Sequence, residues 1–125
     1  MKKISSLIQS GDWKGEKHVP VIHVKQNEEN KDLVAIKVVI GEEIAHPNTL
    51  EHHIAWIKVY FQPEGSNFPV EVGTSEFNAH GELGVSTEYV AKFKFKAEKS
   101  GILYAVSYCN IHGLWENSLE ITVAE

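Results

Sequence analysis

A chain of 125 residues and 14.0 kDa is long enough to bury one hydrophobic core, and 42% apolar with 23% charged residues is typical of a globular protein. The net charge of −5 argues against nucleic acid as the main partner, because binding to phosphates requires a basic surface. No continuous apolar stretch follows the N-terminus, and the single cysteine cannot form an internal disulfide. We therefore expect one domain over residues 1–125, located in the cytoplasm.

A short helix is predicted at the N-terminus, and strands are predicted after it. Ile4, Leu7 and Ile8 recur at helical intervals, with Gly11 as a stop. From His18 onwards the apolar residues alternate with a period of two or form short β-branched runs. The predicted strands cover residues 19–24, 33–40, 54–61, 68–72, 89–96, 102–108 and 119–123. About seven short strands separated by turns predict an all-β, immunoglobulin-like antiparallel sandwich or barrel.

The residues with the strongest chemical signal lie near the C-terminus. Cys109 is the only cysteine, and His112 follows it three positions later. A thiolate and an imidazole on one tight turn can bind the same metal ion. Three segments lack clear alternation and therefore predict loops: residues 11–17, 42–53 and 109–117. Each contains or adjoins further candidate ligands, and sites tend to lie on loops that a rigid scaffold supports.

Seven histidines are available as partners for Cys109. His46 lies before a proline in a predicted turn, and His52 and His53 follow six and seven positions later. If the following strand is extended backwards, His53 shares its more apolar face and His52 the other face. This parity predicts His52 as a ligand and His53 as a core or supporting residue. His23 and His80 are predicted to be surface or structural residues.

The residues alone leave the identity of the metal open. One thiolate with several imidazoles suits zinc, copper or iron. The only methionine is Met1, which counts against a blue-copper site, whereas Cys109 and three histidines would satisfy structural zinc. A larger set of nitrogen and sulfur ligands would favour iron. Besides an enzyme, a copper or iron electron carrier and a zinc-stabilised β-domain therefore remain as alternatives.

Four motifs together resemble the one-iron, neelaredoxin-like superoxide reductases. The motifs are EKHVP at residues 16–20, HPNT at 46–49, EHHI at 51–54 and SYCNIHGLW at 107–115, and the resemblance extends over essentially the full chain. It implies an immunoglobulin-like β-barrel that holds one mononuclear non-haem iron between four equatorial histidines and an axial thiolate. By position, the implied ligands are His18, His46, His52, His112 and, as the axial one, Cys109.

The resemblance also implies an activity and roles for two charged residues. The family reduces superoxide to hydrogen peroxide at the iron position opposite the thiolate. Lys17 resembles the lysine that attracts the anion, and Glu16 resembles the carboxylate that occupies the sixth position in the resting ferric state. Rubredoxin as electron donor and a homo-oligomer, often a tetramer, are implied as partners.

Two features of this chain differ from relatives within the resemblance. The chain lacks the additional cysteines that the second iron-binding module of desulfoferrodoxins requires. Ala45 stands where relatives often carry a proline before the His-Pro-Asn motif, so the resemblance implies a less rigid loop there.

Overall fold

The computed structural model describes residues 1–26 and 32–123 and confirms the all-β prediction. The described residues form nine strands: β1 (Val21–Gln26), β2 (Leu33–Val39), β3 (Ile54–Pro63), β4 (Val70–Glu76), β5 (His80–Glu82), β6 (Val85–Ser86), β7 (Val90–Lys96), β8 (Gly101–Cys109) and β9 (Gly113–Ile121). Within this part of the chain no helix is long and apolar enough to cross a membrane.

Two antiparallel sheets enclose the core. One has the strand order β1-β2-β7 and the other β4-β3-β8-β9, while β5 and β6 form a separate hairpin. Alternate residues of β2 and β3 point inwards, so that Val34 and Val38 of the first sheet and Ile57 and Val59 of the second are fully buried. The predicted immunoglobulin-like sandwich is therefore the observed fold.

The predicted N-terminal helix is reduced to one 3-10 turn over Ile4–Leu7. None of its residues is buried, and no side chain caps its start. An isolated turn without an apolar face to bury has too few hydrogen bonds to extend into an α-helix. The apolar periodicity of this segment was therefore a poor guide to its structure.

The C-terminal hairpin is longer than the sequence indicated. Strand β9 begins at Gly113 rather than near Leu119, and Cys109 pairs directly with Gly113. Gly113 has a φ of +83°, which glycine adopts without strain, and this allows the chain to reverse within three residues. The segment predicted as a nine-residue loop is therefore a tight turn, which fixes Cys109 at the end of β8.

The N-terminal segment is attached to this hairpin. The Gln9 N–H donates to the Leu114 carbonyl at 2.9 Å, and the Glu116 N–H donates to the Gln9 carbonyl at 2.8 Å. The Gln9 side-chain amide donates to the His112 carbonyl at 2.7 Å. The chain that leads to His18 therefore starts from a fixed point beside the Cys109–Gly113 turn.

Candidate metal centre

Five side chains from four segments converge at one end of the sandwich. Ligand atoms of His18, His46, His52 and Cys109 all lie within 4.8 Å of one another. His112 lies outside that tightest group, but its Nδ1 is 3.2 Å from His18 Nε2 and 3.9 Å from Cys109 Sγ. The structure thus brings together all five residues that the resemblance implied as ligands.

The four imidazole rings form a square. Neighbouring ring centroids are 4.7 Å apart for His18–His46 and His46–His52, and 5.0 Å apart for His52–His112 and His18–His112. The His18–His52 diagonal is longer, at 6.4 Å. Neighbouring rings stand edge to face, at 65° to 77°. Such an arrangement directs one nitrogen of each ring towards a common centre.

Hydrogen bonds on the outer side of the rings select which nitrogen faces inwards. The His46 Nδ1–H donates to the Pro47 carbonyl at 2.7 Å, and because a carbonyl only accepts, Nδ1 carries the proton. His46 Nε2 is then free and lies 3.6 Å from Cys109 Sγ. His18 Nδ1 likewise contacts Glu16 Oε1 at 2.6 Å, which leaves His18 Nε2 facing the cluster. Partners of this kind fix the tautomer and orientation of metal-binding histidines.

The loop that carries His46 depends on a glycine. Gly41 has a φ of +79°, and a Cβ at this position would lie 2.7 Å from the backbone nitrogen of His46. Only glycine therefore allows the chain after β2 to fold back this closely. This close approach fixes the backbone of the loop at Ala45 and His46.

A second tight turn presents His52. The Thr49 N–H donates to the His52 carbonyl at 3.0 Å, and the His52 N–H donates to Thr49 Oγ1 at 3.1 Å. The next residue joins this turn to the cysteine: the His53 N–H donates to Asn110 Oδ1 at 2.8 Å, and the Asn110 N–H donates to the His53 carbonyl at 3.1 Å. The His52 and Cys109 segments are therefore held in one fixed register.

Burial lowers the pKa of two histidines of the cluster, His46 and His52. The pKa of His46 is lowered to about 4, mainly because its ring is removed from water and also because positive charge at His18, His52 and Lys17 opposes a further proton. The pKa of His52 is lowered for the same reasons, burial first and then the charges of His112 and Lys17. A neutral imidazole keeps the lone pair that binds a metal, so His46 remains a competent ligand far below neutral pH.

One buried atom indicates that the cluster is built for an ion. His52 Nε2 is inaccessible to water and has no hydrogen-bond partner among the described residues. Buried polar atoms are nearly always paired, and an unpaired one indicates a missing ion or water. Four imidazole nitrogens and one sulfur suit a transition metal of the borderline class that includes iron. The residues therefore fit the iron that the sequence motifs implied.

Glu16 contacts a ligand rather than the centre of the cluster. Its Oε1 accepts hydrogen bonds from the backbone N–H of His18 at 3.0 Å and from the ring at 2.6 Å. Partial burial raises the pKa of Glu16, but these hydrogen bonds outweigh that effect and lower it overall. Glu16 is therefore ionised at neutral pH, and in this conformation it orients His18.

The remaining candidate residues, one lysine and three histidines, lie in different surroundings. Lys17 directly precedes His18, and its positive charge contributes to lowering the pKa of both His46 and His52. His53 stacks on buried His80, with ring centroids 3.7 Å apart, and both lie outside the cluster. His23 is exposed and binds Glu42 at 2.7 Å, away from the other histidines.

Sequence reasoning missed two aromatic residues that pack against the ligands. Trp115 stacks on His18, with a centroid distance of 4.7 Å and an interplanar angle of 12°. The Tyr89 ring meets His46 edge to face at 5.9 Å, and its hydroxyl donates to the Pro47 carbonyl at 2.9 Å. Both are buried aromatics in strands or beside them, and only the pairing of distant strands brings them to the site.

The β-sandwich brings four histidines and one cysteine together at one end, and one of their nitrogens, His52 Nε2, is buried without a partner among the described residues. These features define a metalloprotein with a mononuclear centre. Residues 10–118 match the desulfoferrodoxin family. The chain belongs to this family, and with the cluster of donors this confirms the prediction of a one-iron site.

Individual relatives agree with this assignment along their whole length. The superoxide reductase of Pyrococcus furiosus is 56% identical, with 94% of this chain and 98% of the relative aligned. Neelaredoxin of Megalodesulfovibrio gigas is 45% identical over 97% of this chain and 98% of the relative. The solved structure of reduced superoxide reductase (neelaredoxin) from Archaeoglobus fulgidus superposes with a TM-score of 0.88 at 56% identity, covering 94% and 99% of the two chains.

The contact between Glu16 and His18 predicts different effects for two substitutions. Glu16→Ala removes the acceptor that orients the His18 ring and should weaken metal binding roughly 10-fold to 100-fold, as loss of such partners does elsewhere. Glu16→Gln retains a side-chain oxygen that can accept both hydrogen bonds and should stay close to wild type. Chelator competition with Co²⁺ on metal-free protein measures the affinities.

Glu42→Ala is the matched control, because Glu42 forms a similar carboxylate–histidine pair with His23 outside the cluster. This variant should bind Co²⁺ as wild type does. Equal losses in the Gln and Ala variants of Glu16 would contradict an orienting role and indicate that only the negative charge matters.

Proposed function

We propose that the protein reduces superoxide to hydrogen peroxide at one iron held by His18, His46, His52, His112 and Cys109. The observation that carries this proposal is the square of four imidazole rings with Cys109 Sγ close to two of its inward-facing nitrogens. Bound iron supplies the single electron that superoxide needs, and two protons complete the peroxide. An external donor then returns the electron, so that the protein acts as an oxidoreductase in oxygen detoxification.

Cys109 tunes the centre through its sulfur. The His112 N–H points at Cys109 Sγ at 3.4 Å, and Cys109 is fully buried at the end of β8. A hydrogen bond of this kind stabilises negative charge on the sulfur and sets how strongly it donates electrons to a metal. The tight turn thereby supplies a ligand and adjusts the ligand's strength with its own backbone.

Lys17 supplies the local positive charge that an anionic substrate requires. The molecule has a net charge of −5, so its overall field repels superoxide. The charge of Lys17 acts on both His46 and His52, and it opposes this repulsion at the place where the substrate must arrive. Lys17 therefore attracts the anion, and its N–H groups can hold a water molecule that delivers protons.

Glu16 has a second role in this proposal. Its carboxylate now binds His18, one residue away from Lys17. With iron bound, the same carboxylate would be available to hold the metal in the resting ferric state. Glu16 would then have two roles, orienting His18 and closing the site after the reaction.

The proposal includes a cytoplasmic location, and a rubredoxin-type electron donor is its natural partner there. Cys109 is free and buried, which suits a reducing compartment in which thiols are not oxidised.

A homotetramer completes the proposal. Large apolar side chains are exposed at Phe68 (76%), Val70 (59%), Leu83 and Val85, all remote in sequence from the ligands. Subunit contacts would remove the apolar surface of these side chains from water. Sedimentation equilibrium should give four times the 14.0 kDa chain mass, and a monomer at micromolar concentration would contradict the tetramer.

The activity is tested by stoichiometry. Protein reduced beforehand and mixed with superoxide should form one peroxide per superoxide consumed without releasing oxygen. The oxidised protein should also have a thiolate-to-iron charge-transfer band that Cys109→Ser abolishes. Equal release of oxygen and peroxide would indicate a dismutase, and a site filled with zinc or copper in protein purified without added metal would rule out the reductase.

Replacement of Lys17 should slow the capture of superoxide without changing the metal centre itself. Lys17→Ala should lower the second-order rate constant with superoxide about tenfold at low ionic strength, because local charge raises such rates by one to three orders of magnitude. Lys14→Ala is the control on the same loop, since the Lys14 ammonium lies over the Trp13 ring, 5.7 Å from its centroid. The visible spectrum should be unchanged in both variants. Equal rate constants for Lys17→Ala and Lys14→Ala would show that Lys17 does not attract the substrate.

A further inference from the structure

The outer face of the three-stranded sheet carries a concentration of positive charge. We call it the lysine face and define it by Lys25, Lys37, Lys92 and Lys94. The strand register brings these residues together: His23, Lys37 and Lys92 form one row across β1, β2 and β7, and Lys25, Ala35 and Lys94 form the next. All four lysines are exposed and line a groove of about 420 Å³. One sheet face thus holds four of the twelve basic residues of an acidic protein.

Among the described residues, the lysine face has no salt-bridge partner. No lysine of residues 1–26 and 32–123 forms a salt bridge, and one carboxylate beside this face, Glu42, is bound to His23. Lys37 and Lys92 are direct cross-strand partners, an arrangement of like charges that destabilises a sheet. Folding alone does not favour such a pair, so the field that it creates is available to an outside partner.

The lysine face adjoins the metal centre. One row further along the sheet lie Val21, Val39 and Val90, roughly 7 Å from Lys37 and Lys92 at the usual rise of two residues in a strand. In this row Val90 is 36% exposed, Val39 is half-buried and Val21 is buried. The residue before Val90, Tyr89, is buried and packs against the His46 ring. The face therefore leads from exposed charge to a small apolar area at Val39 and Val90, with Tyr89 and His46 behind it.

We propose that the lysine face is the docking surface for a small acidic electron-carrier protein, an inference that rests on the function proposed above. The positive rows attract the acidic surface of the carrier and orient it, and the apolar area at Val39 and Val90 receives its redox-active edge, with Tyr89 and His46 behind it. Complementary charge of this kind mainly accelerates encounter, which suits a carrier that must bind briefly and leave.

A charge-reversal experiment tests this docking surface. Lys37→Glu with Lys92→Glu exchanges one like-charge pair for another, so the cross-strand repulsion is retained and the fold should be preserved. Lys2→Glu with Lys99→Glu is the matched control, because it changes the net charge equally at two exposed lysines outside the face. Stopped-flow measurement follows oxidation of reduced rubredoxin, used as the acidic probe, by each oxidised iron-loaded variant.

The expected result is at least a tenfold lower rate constant for the lysine-face variant than for the control at low ionic strength, where charges act over ~30 Å. The difference should shrink at ~0.2 M salt, because screening then limits the field to less than ~10 Å. Equal rate constants in the two variants, or a difference that salt leaves unchanged, would overturn the proposal.

Two further measurements distinguish docking of a carrier from steering of small anions and from membrane binding. Protein reduced with ascorbate should convert superoxide to peroxide at the same rate in both variants; failure of that conversion in wild type would refute the proposed function itself. If the lysine-face variant alone is slow with superoxide, the face steers small anions, and the docking proposal is wrong. Sedimentation with phosphatidylserine vesicles should be negligible, and binding that the lysine-face variant alone loses would assign the face to membranes instead.

Discussion

The metal centre depends on one pair of hydrogen bonds at the end of the central strand ladder. Strands β3 and β8 pair along their length, and the reciprocal bonds between His53 and Asn110 continue that pairing beyond Ile54 and Cys109. Because each strand is rigid, this register fixes the distance between the His52 turn and the thiol. The other ligands are then attached to the same frame: His112 by the turn, and His18 through Ser107, whose hydroxyl donates to the His18 carbonyl at 3.3 Å.

The local charge differs in sign from the net charge of the protein at two places. The net charge of −5 opposes the approach of any anionic partner, yet the described residues include two places with local positive charge. Lys17 directly precedes His18 of the ring square, and the lysine face covers the outer side of the three-stranded sheet. The two positive regions lie on different elements, a loop and a sheet, so they can serve different partners.

The sequence was sufficient to predict the fold class and the residues that form the cluster. The physical reasons are the periodicity of the strands and the parity of the histidine pair. Period-two alternation predicts strands well when one face is buried, as in β2 and β7. Parity placed His52 and His53 on opposite sides, which agrees with the ring square and with the His53–His80 stack. Recognition of the four motifs, rather than spacing alone, narrowed the metal to iron.

Features that depend on pairing between distant segments could not be predicted from the sequence. Strand β9 begins early because Gly113 adopts a positive φ. The sequence does not show which type of turn the chain forms here, so this early start could not be predicted. Trp115 and Tyr89 reach the ligands only after β8, β9 and β7 have found their partners. Glu16 was expected at the iron, whereas its bond to His18 depends on the local shape of a loop with no periodic signal.

That loop has a further mechanical property. Its ends are fixed, by Gln9 on the β9 strand and by His18 on Ser107, while the hydrogen bonds of residues 11–17 in the described structure are all local. A shift of this arc costs less than a shift of a strand, because no ladder hydrogen bonds have to break. Glu16 and Lys17 are neighbours of opposite charge on the arc, so a shift that moves one of them moves the other. The two charges next to His18 are therefore mechanically linked, and neither changes its position independently of the other.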